Sequence, residues 1–515
     1  MPSDNSRPDF TVAVDLGTQG TKAALVSADG QLLGSAFVPS NLIRPAPGQV
    51  EQDPDEMFGS VVSAIRSVMD RTGISPARVA AVGIGGQMAG VLGIDADWQA
   101  VTPYDSWLDS RCEAAMPIIR DWGEDAFIGI TGSPVTYAHG PKILWWRRER
   151  PEVYRAIAKF LVPSAFVAGR LAGLRAQDAF IDHTHLHFAG FADIQRMAWS
   201  DELLRAFGVD GAKMPAIVRP WDIVGGLTDR YAAAAGLRPG TPIAAGLGDT
   251  AAATLGAGIA RPGLLFDVAG TASVLSCCTA EYRPDTEGKT LIYARSALPE
   301  LWTPLAYING GGQCLAWFKR LAGASYDELN ALAEAVEPGC GGLTFVPHFG
   351  GRVCPNTPGL RGSWTGMAWS HESGALFRAI LESVAYEYKH YLGTLERLVG
   401  SASYEAVHVA GGGARSALFN RIKADTLGIA YRPLQAEDTA LIGAALVAGH
   451  GVGLFPDLAG AAERFAAPGD AIEPDAGRHR LYAAAASRYR RAVDGMQALY
   501  ASLNENEEPV ETFER

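Results

Sequence analysis

VAVDLGTQGTKAALV, residues 12–26, puts an acid at the end of an apolar strand and follows it with glycines, threonines and a lysine. Val12–Val14 read as one short buried strand and Ala23–Val26 as a second. Between them Gly17, Thr18, Gly20, Thr21 and Lys22 crowd into six positions, which suits a tight hairpin whose backbone N–H groups can approach a partner closely. Threonine hydroxyls and a lysine beside such amides point to phosphate. An ordinary hairpin fits the stretch as well, so the rest of the chain has to separate the two readings.

Downstream, a turn at Asp29-Gly30 leads to a third strand near Gln31–Val38. A helix follows from about Asp55 to Arg71, with Met57, Val61, Val62, Ile65 and Val68 on its apolar face. VAAVGIGG, residues 79–86, reads as a buried strand that ends in glycines, and helical stretches with a polar, His-rich segment fill the middle to about Ala234. The second half opens on the same plan. GLLFDVAGTASVLS, residues 263–276, again runs apolar strand, acid (Asp267), Gly-Thr turn (Gly270, Thr271) and apolar strand. A helix around Gly374–Leu395 comes later, then a strand, three glycines and a helix in EAVHVAGGGARSALFNRIKADTLG, residues 405–428. Two such repeats predict two similar α/β domains facing a shared cleft.

The bulk numbers fit that plan. A chain of 515 residues has room for two or three domains. Its net charge of −12 offers no electrostatic footprint for nucleic acid or an anionic membrane. An anionic nucleotide therefore needs local amides, lysines or a metal ion. MPSDNSRPDF lacks the apolar core of a signal peptide, and Leu441–Leu454, too short for a membrane span, reads as a buried helix and turn. The six cysteines have no C-x-x-C spacing and read as reduced thiols, so a cytoplasmic location is expected. The end of the chain, NENEEPVETFER, reads as an acidic, frayed tail.

PIAAGLGDTAAATLGAG, residues 242–258, runs a short strand into glycines, an acid and an Ala-rich helix. Gly246 to Ala251 also spell the dinucleotide fingerprint G-x-G-x-x-A. The context opposes a dehydrogenase, because Asp249 would repel a pyrophosphate and Asp267 belongs to the second hairpin. Read as an active site, Asp249 is an acid at a helix N-terminus, able to accept a proton from a hydroxyl that attacks phosphorus; read structurally, it is a helix cap. No Walker A motif and no protein-kinase motif occurs. DHTHLH, residues 182–187, would set His183, His185 and His187 on one face of a strand, a possible zinc arrangement or polar cleft lining. YDSWLDSR, residues 104–111, combines Trp107, Asp109 and Arg111, suited to a polyol or to a salt-bridged turn.

Together these segments resemble the sugar-kinase family of xylulokinase, glycerol kinase, gluconokinase and fuculokinase. The likeness runs from about Phe10 to about Gly453 and is nearest the xylulokinase branch, through GIGGQMAG, WLDSR, GPKILWW, PHFGGRVCPNTPGLRGSWTGM and RAILESVAYEY. It implies an α/β fold of two actin- and hexokinase-like (ribonuclease H-like) domains around a central cleft. The first, at 1–258, would bind sugar and phosphate; the second, at 259–500, would bind nucleotide; residues 501–515 would be the tail. By the resemblance, Asp15, Gly17, Thr18, Gln19, Gly20 and Lys22 lie at the phosphates of ATP, with Gly270, Thr271, Gly312, Gly412 and Gly413 completing the nucleotide site. Asp249 matches the catalytic base, and Asp15 with Asp249 stand near Mg²⁺. Gln87, Met88, Ala89, Trp107, Asp109, Tyr137, Asp249 and Thr250 would form the sugar site.

Two departures bear on the substrate: Ala89 stands where xylulokinases usually have His, and Thr250 where they usually have Asn. The implied reaction is phosphorylation of a small linear sugar or polyol at a terminal hydroxyl. D-xylulose leads, with D-ribulose, a pentitol or a tetritol as alternatives. A homodimer is the family's tendency. A nucleotide-dependent sugar sensor is the non-enzymatic reading, opposed by the presence of Asp15, Lys22 and Asp249, and a chaperone of the same fold would carry a peptide-binding domain where only the tail follows.

Overall fold

The structure, a computed structural model, describes residues 8–400, 403–436 and 438–504. The first half begins with strands Phe10–Leu16 (β1), Gly20–Ser27 (β2) and Leu32–Pro39 (β3), helix Pro54–Thr72 (α1) and strand Val79–Gly86 (β4). Ile223–Gly226 (β5) and Pro242–Ala244 (β6) complete the sheet in the order β5-β6-β4-β1-β2-β3, with Leu247–Gly248 pairing β4 off this path. Central β1 is antiparallel to β2 and parallel to β4. It is covered on both faces, which is why it reads as a continuous apolar run rather than an alternating one. Local chemistry frames α1 as the sequence predicts. The Asp53 carboxylate accepts the Asp55 and Glu56 N–H groups, Pro54 opens the helix, and Gly73 closes it at φ 61°. Downstream of β6 lies the short helix Asp249–Gly256 (α2).

The second half contains Leu264–Ala269 (β7), Ser273–Cys277 (β8), Ile292–Arg295 (β9), Trp302–Ile308 (β10), Gly311–Ala322 (α3), Ser373–Val399 (α4), Ala406–Ala410 (β11), Ala417–Leu427 (α5), Tyr431–Pro433 (β12), Thr439–Gly451 (α6) and Ala476–Asn504 (α7). Its sheet runs β9-β10-β8-β7-β11-β12. The path β10-β8-β7-β11-β12 repeats β3-β2-β1-β4-β6, with the antiparallel hairpin and the parallel neighbours in corresponding places. The duplication legible in the two Gly-Thr hairpins is thus a duplication of the sheet.

The halves are not independent bodies. Helix α6 crosses from the second half to pack on α2 and on the first sheet, with Leu441, Ile442, Ala445 and Leu446 sharing a buried cluster with Ala13, Ala24, Leu247 and Ala252. The approach is close enough to require glycine. A Cβ on Gly83 would lie 2.1 Å from the Ala444 carbonyl oxygen, and one on Gly443 would lie 2.0 Å from that of Ala252. In the other direction, the Tyr293 N–H of β9 reaches the Gly132 carbonyl at 2.7 Å. The expected boundary at 258–259 falls between α2 and β7. Residues 501–504 continue α7 instead of starting a tail, and the rest of the expected tail lies outside the described residues. Among the described residues no helix is long and apolar enough to cross a membrane, and all six cysteines are free and buried.

Candidate active site

The first hairpin carries Asp15 at the end of β1, opposite Lys22 of β2 and alongside Gly85 of β4. A Gly17 N–H to Gly20 O bond of 3.1 Å closes the turn, with Gln19 exposed at its tip. Glycine on β4 leaves the Asp15 carboxylate uncovered on that side. Burial, then the charges of Asp249 and Asp438, push its pKa up to about 7, against Lys22, which lowers it. Lys22 itself is half-exposed and pairs with Asp438 at 2.9 Å. Asp438 was invisible to sequence reasoning: it precedes α6, 416 residues away.

Asp249 is the first residue of α2, so its carboxylate stands at a helix N-terminus. Its Oδ1 accepts the Thr250 N–H at 2.5 Å and the Thr250 hydroxyl at 3.1 Å, while Oδ2 has no hydrogen-bond partner among the described residues. Burial raises its pKa, against Thr250 and His185, which lower it. Thr250 therefore steadies the acid as well as standing beside it. Asp15 and Asp249 give oxygen donors in a common field, the donor type a hard cation takes. Among the described residues no group of three or more His, Cys, Asp or Glu could hold a metal ion. Two carboxylates suit a magnesium ion that keeps its waters.

Facing these acids is the loop after β4. The Thr18 hydroxyl donates to Gln87 Oε1 at 3.2 Å and accepts from the Trp107 indole at 2.8 Å. Gln87 Nε2 in turn donates to Gln52 at 2.7 Å. Thr18, expected at the phosphates, ties the hairpin to this wall through these two bonds. Met88 packs against Gly248, just before Asp249. Ala89 sits at φ 61°, a left-handed conformation costly for a residue with a Cβ and typical of functional turns. Trp107 is 39% exposed, an apolar face available to a ligand.

Two further residues expected at the sugar have these surroundings. Asp109 is fully buried. Its oxygens accept the Val50 N–H (2.6 Å), the Arg111 N–H (3.0 Å) and the Arg111 guanidinium (2.7 Å), which also reaches Glu51 (2.6 Å). The alternating Trp-Asp-Arg pattern was thus a buried ion network, with only Trp107 at the surface. Tyr137 is 36% exposed, and the charges acting on its hydroxyl are Glu113, Cys112 and Arg120; no hydrogen bond joins it to the acids of the cleft.

DHTHLH also departs from expectation. Asp182 caps a 3₁₀ turn, His183–His185, which runs into a short helix, Leu186–Ala189, so the three imidazoles never share a strand face. His183 Nε2 meets the Ser296 carbonyl at 3.0 Å and His185 Nδ1 meets Asp182 at 2.6 Å. The zinc reading is excluded among the described residues.

In the second half Gly270, Thr271, Gly312, Gly412 and Gly413 all line one cavity of about 650 Å³, within the range of small-molecule sites. The N-terminus of α3 sits directly on the second hairpin: a Cβ on Gly312 would lie 1.9 Å from the Gly270 carbonyl oxygen. Phe377 and Leu381 of α4 supply an apolar wall and Asn330 a polar one. Sequence reasoning gave these three no role: Leu381 lies within RAILESVAYEY and Phe377 just before it, but neither carries a polar group that would announce a site, and Asn330 lies in no motif. A larger cavity of about 830 Å³ lies along the edge strand β3 and shares only Lys22 and Asp438 with the groups above.

Comparison with known proteins bears on the whole assembly. The N-terminal domain of the FGGY family of carbohydrate kinases matches residues 10–256, and its C-terminal domain matches residues 266–452. The chain is 27% identical to xylulose kinase of Bacillus subtilis over 96% of its own length and 98% of the relative's. It is also 27% identical to L-xylulose/3-keto-L-gulonate kinase of Escherichia coli, over 96% and 99%. The crystal structure of xylulose kinase from Rhodospirillum rubrum superposes with a TM-score of 0.88 at 26% identity, covering 96% of this chain and all of that one. With the duplicated sheet and both family domains present in order, the chain belongs to the FGGY family of carbohydrate kinases.

Proposed function

We propose that this sugar kinase transfers the γ-phosphoryl group of Mg·ATP to a terminal hydroxyl of a small linear sugar, D-xylulose first among the candidates. The observation that carries the proposal is Asp249. It is a partly buried carboxylate at a helix N-terminus with one oxygen steadied by Thr250 and the other open, and its raised pKa suits a general base. In this reading Asp249 Oδ2 takes the proton as the acceptor oxygen attacks phosphorus, and Trp107, Gln87 and Met88 hold the sugar. Gly17, Gly20 and Lys22 face the phosphates. Lys22 exchanges its Asp438 partner for phosphate oxygen. Gly270, Thr271, Gly312, Gly412 and Gly413 border the adenosine in the 650 Å³ cavity. Asp15 and Asp249 would hold hydrated Mg²⁺, which when bound offsets phosphate charge. Exclusion of water follows from closing the halves around both ligands.

Ala89 removes an imidazole from the sugar wall and Thr250 spends its hydroxyl on Asp249, so D-ribulose, a pentitol or a tetritol are the alternative acceptors. The relatives' differing names, xylulose kinase and L-xylulose/3-keto-L-gulonate kinase, support keeping these in view. Reduced, buried cysteines support a cytoplasmic enzyme; the homodimer rests on the resemblance alone. The test is a coupled assay of ADP release with ATP and Mg²⁺ across ketopentoses, aldoses and polyols. Turnover that needs both ATP and one small acceptor is expected, and ATP binding without turnover on any acceptor would favour the sensor instead.

A further inference from the structure

The DHTHLH turn has no place in the chemistry so far, yet it touches the residue before Asp249. The Thr184 hydroxyl accepts the Gly248 N–H at 2.9 Å, and Gly248 is the N-cap of α2. Asp182, fully enclosed, sets the direction of this contact. Its Oδ1 accepts the Thr184 N–H at 2.9 Å and the Thr184 hydroxyl, while its Oδ2 accepts from His185 Nδ1 at 2.6 Å. Burial raises the Asp182 pKa, but His185 and Thr184 outweigh it, and the carboxyl lies below its ordinary value. An ionised Asp182 can only accept. The Thr184 proton is therefore committed to it, and a Thr184 lone pair is left for Gly248.

Gly248 also has Met88 close against its Cα. Met88 Sδ lies 2.5 Å from where a Gly248 Cβ would stand, so the backbone leading into Asp249 is held by both the sugar loop and Thr184. The turn is also anchored from the second half, through His183 and the Ser296 carbonyl at 3.0 Å. We infer that Thr184, oriented by the Asp182–His185 pair, is a positioning residue that fixes the Gly248–Asp249 turn and so aims the Asp249 carboxylate at the acceptor. The inference rests on Asp249 being the base.

Thr184→Val keeps the shape and removes the hydroxyl. Misaiming a reacting group by a fraction of an ångström to an ångström costs about tenfold to a hundredfold. With the best acceptor from the ADP-release screen, kcat should fall at least about tenfold while the KM for ATP stays within about twofold. Thr184→Ser should restore kcat. In an Asp249→Asn background the Thr184→Val change should cost almost nothing further, because it acts only through that carboxylate. If Thr184→Val fails to fold, Asp182→Asn serves: its amide can donate to Thr184 and displace the Gly248 N–H, with the same kcat-only loss expected. Parent-like kcat in these variants, or losses that multiply with Asp249→Asn, would overturn the positioning role and leave the base intact. Near-normal turnover by Asp249→Asn alone would remove both.

Discussion

The two Gly-Thr hairpins share a sequence plan and a place in their sheets, yet their acids have opposite surroundings. Asp15 lies opposite Lys22 and beside Gly85, within the field of Asp249 and Asp438. Asp267 lies opposite Leu275 and beside Val409, and is fully buried. Tyr388 of α4 donates to it at 2.7 Å, and Lys423 of α5 pairs with it. What differs is the neighbours rather than the hairpin. A glycine on the parallel strand leaves one acid uncovered, while a valine there, with a tyrosine and a lysine from the helices above, closes over the other. Duplication supplied two equal acids, and the second became part of a core.

Breaking that contrast should have its largest effect at Asp267. Asp267→Asn strands the Lys423 ammonium, which is wholly buried and already pushed below its ordinary pKa by burial. Removing one partner of a buried pair costs about 3–5 kcal/mol, read as a lower midpoint in urea or failure to fold, with little change in turnover per folded molecule. A stable, inactive variant would mean that Asp267 acts in chemistry.

Asp15→Asn should do the reverse, with kcat lowered about tenfold or more and stability not lost. The sign with pH follows from its raised pKa. The folded chain holds the Asp15 proton up to about pH 7, whereas the unfolded chain releases it near 3.8, so ionisation withdraws stability as pH rises through that window. The asparagine variant should therefore gain melting temperature over the parent at about pH 8 and not at about pH 4. An equal difference at both pH values would show that Asp15 is not strained by its neighbours.

The smallest effect is expected at the second hairpin's tip. Thr271→Val removes the hydroxyl of a residue lining the 650 Å³ cavity and should weaken ATP by severalfold, the scale of one hydrogen bond, leaving the acceptor unchanged. Calorimetric titration of each ligand reads this directly, and a loss confined to the acceptor would mean that the cavity is not the nucleotide's.

Local pattern made much of this legible. The hairpins, the α1 helix, the strand ending at Gly86 and the acid opening α2 are each written in contiguous residues, through apolar runs, turn glycines and caps. The five glycine and threonine positions of the second half also proved to line one cavity. What stayed hidden lies across distance in the chain: Asp438 on Lys22, Thr184 on Gly248, and Phe377, Leu381 and Asn330 in the cavity wall. Alternation was a weaker guide. His183, His185 and His187 read as a strand face because alternation is the strand's signature, but Asp182 caps the backbone into a turn. Asp109 and Arg111 read as a polyol contact or a salt-bridged turn; they do pair, but nothing nearby announces Glu51, which joins the pair.

The most direct measurement is phosphoryl transfer by Asp249→Asn, with ATP and acceptor affinities determined on the same preparation. Removal of a general base predicts a fall in kcat of at least about a hundredfold, with both dissociation constants within about threefold of the parent, because the amide keeps the size and one carbonyl oxygen for Thr250. Near-normal turnover would contradict the assignment, and the base would have to be sought elsewhere among the groups that line the cleft.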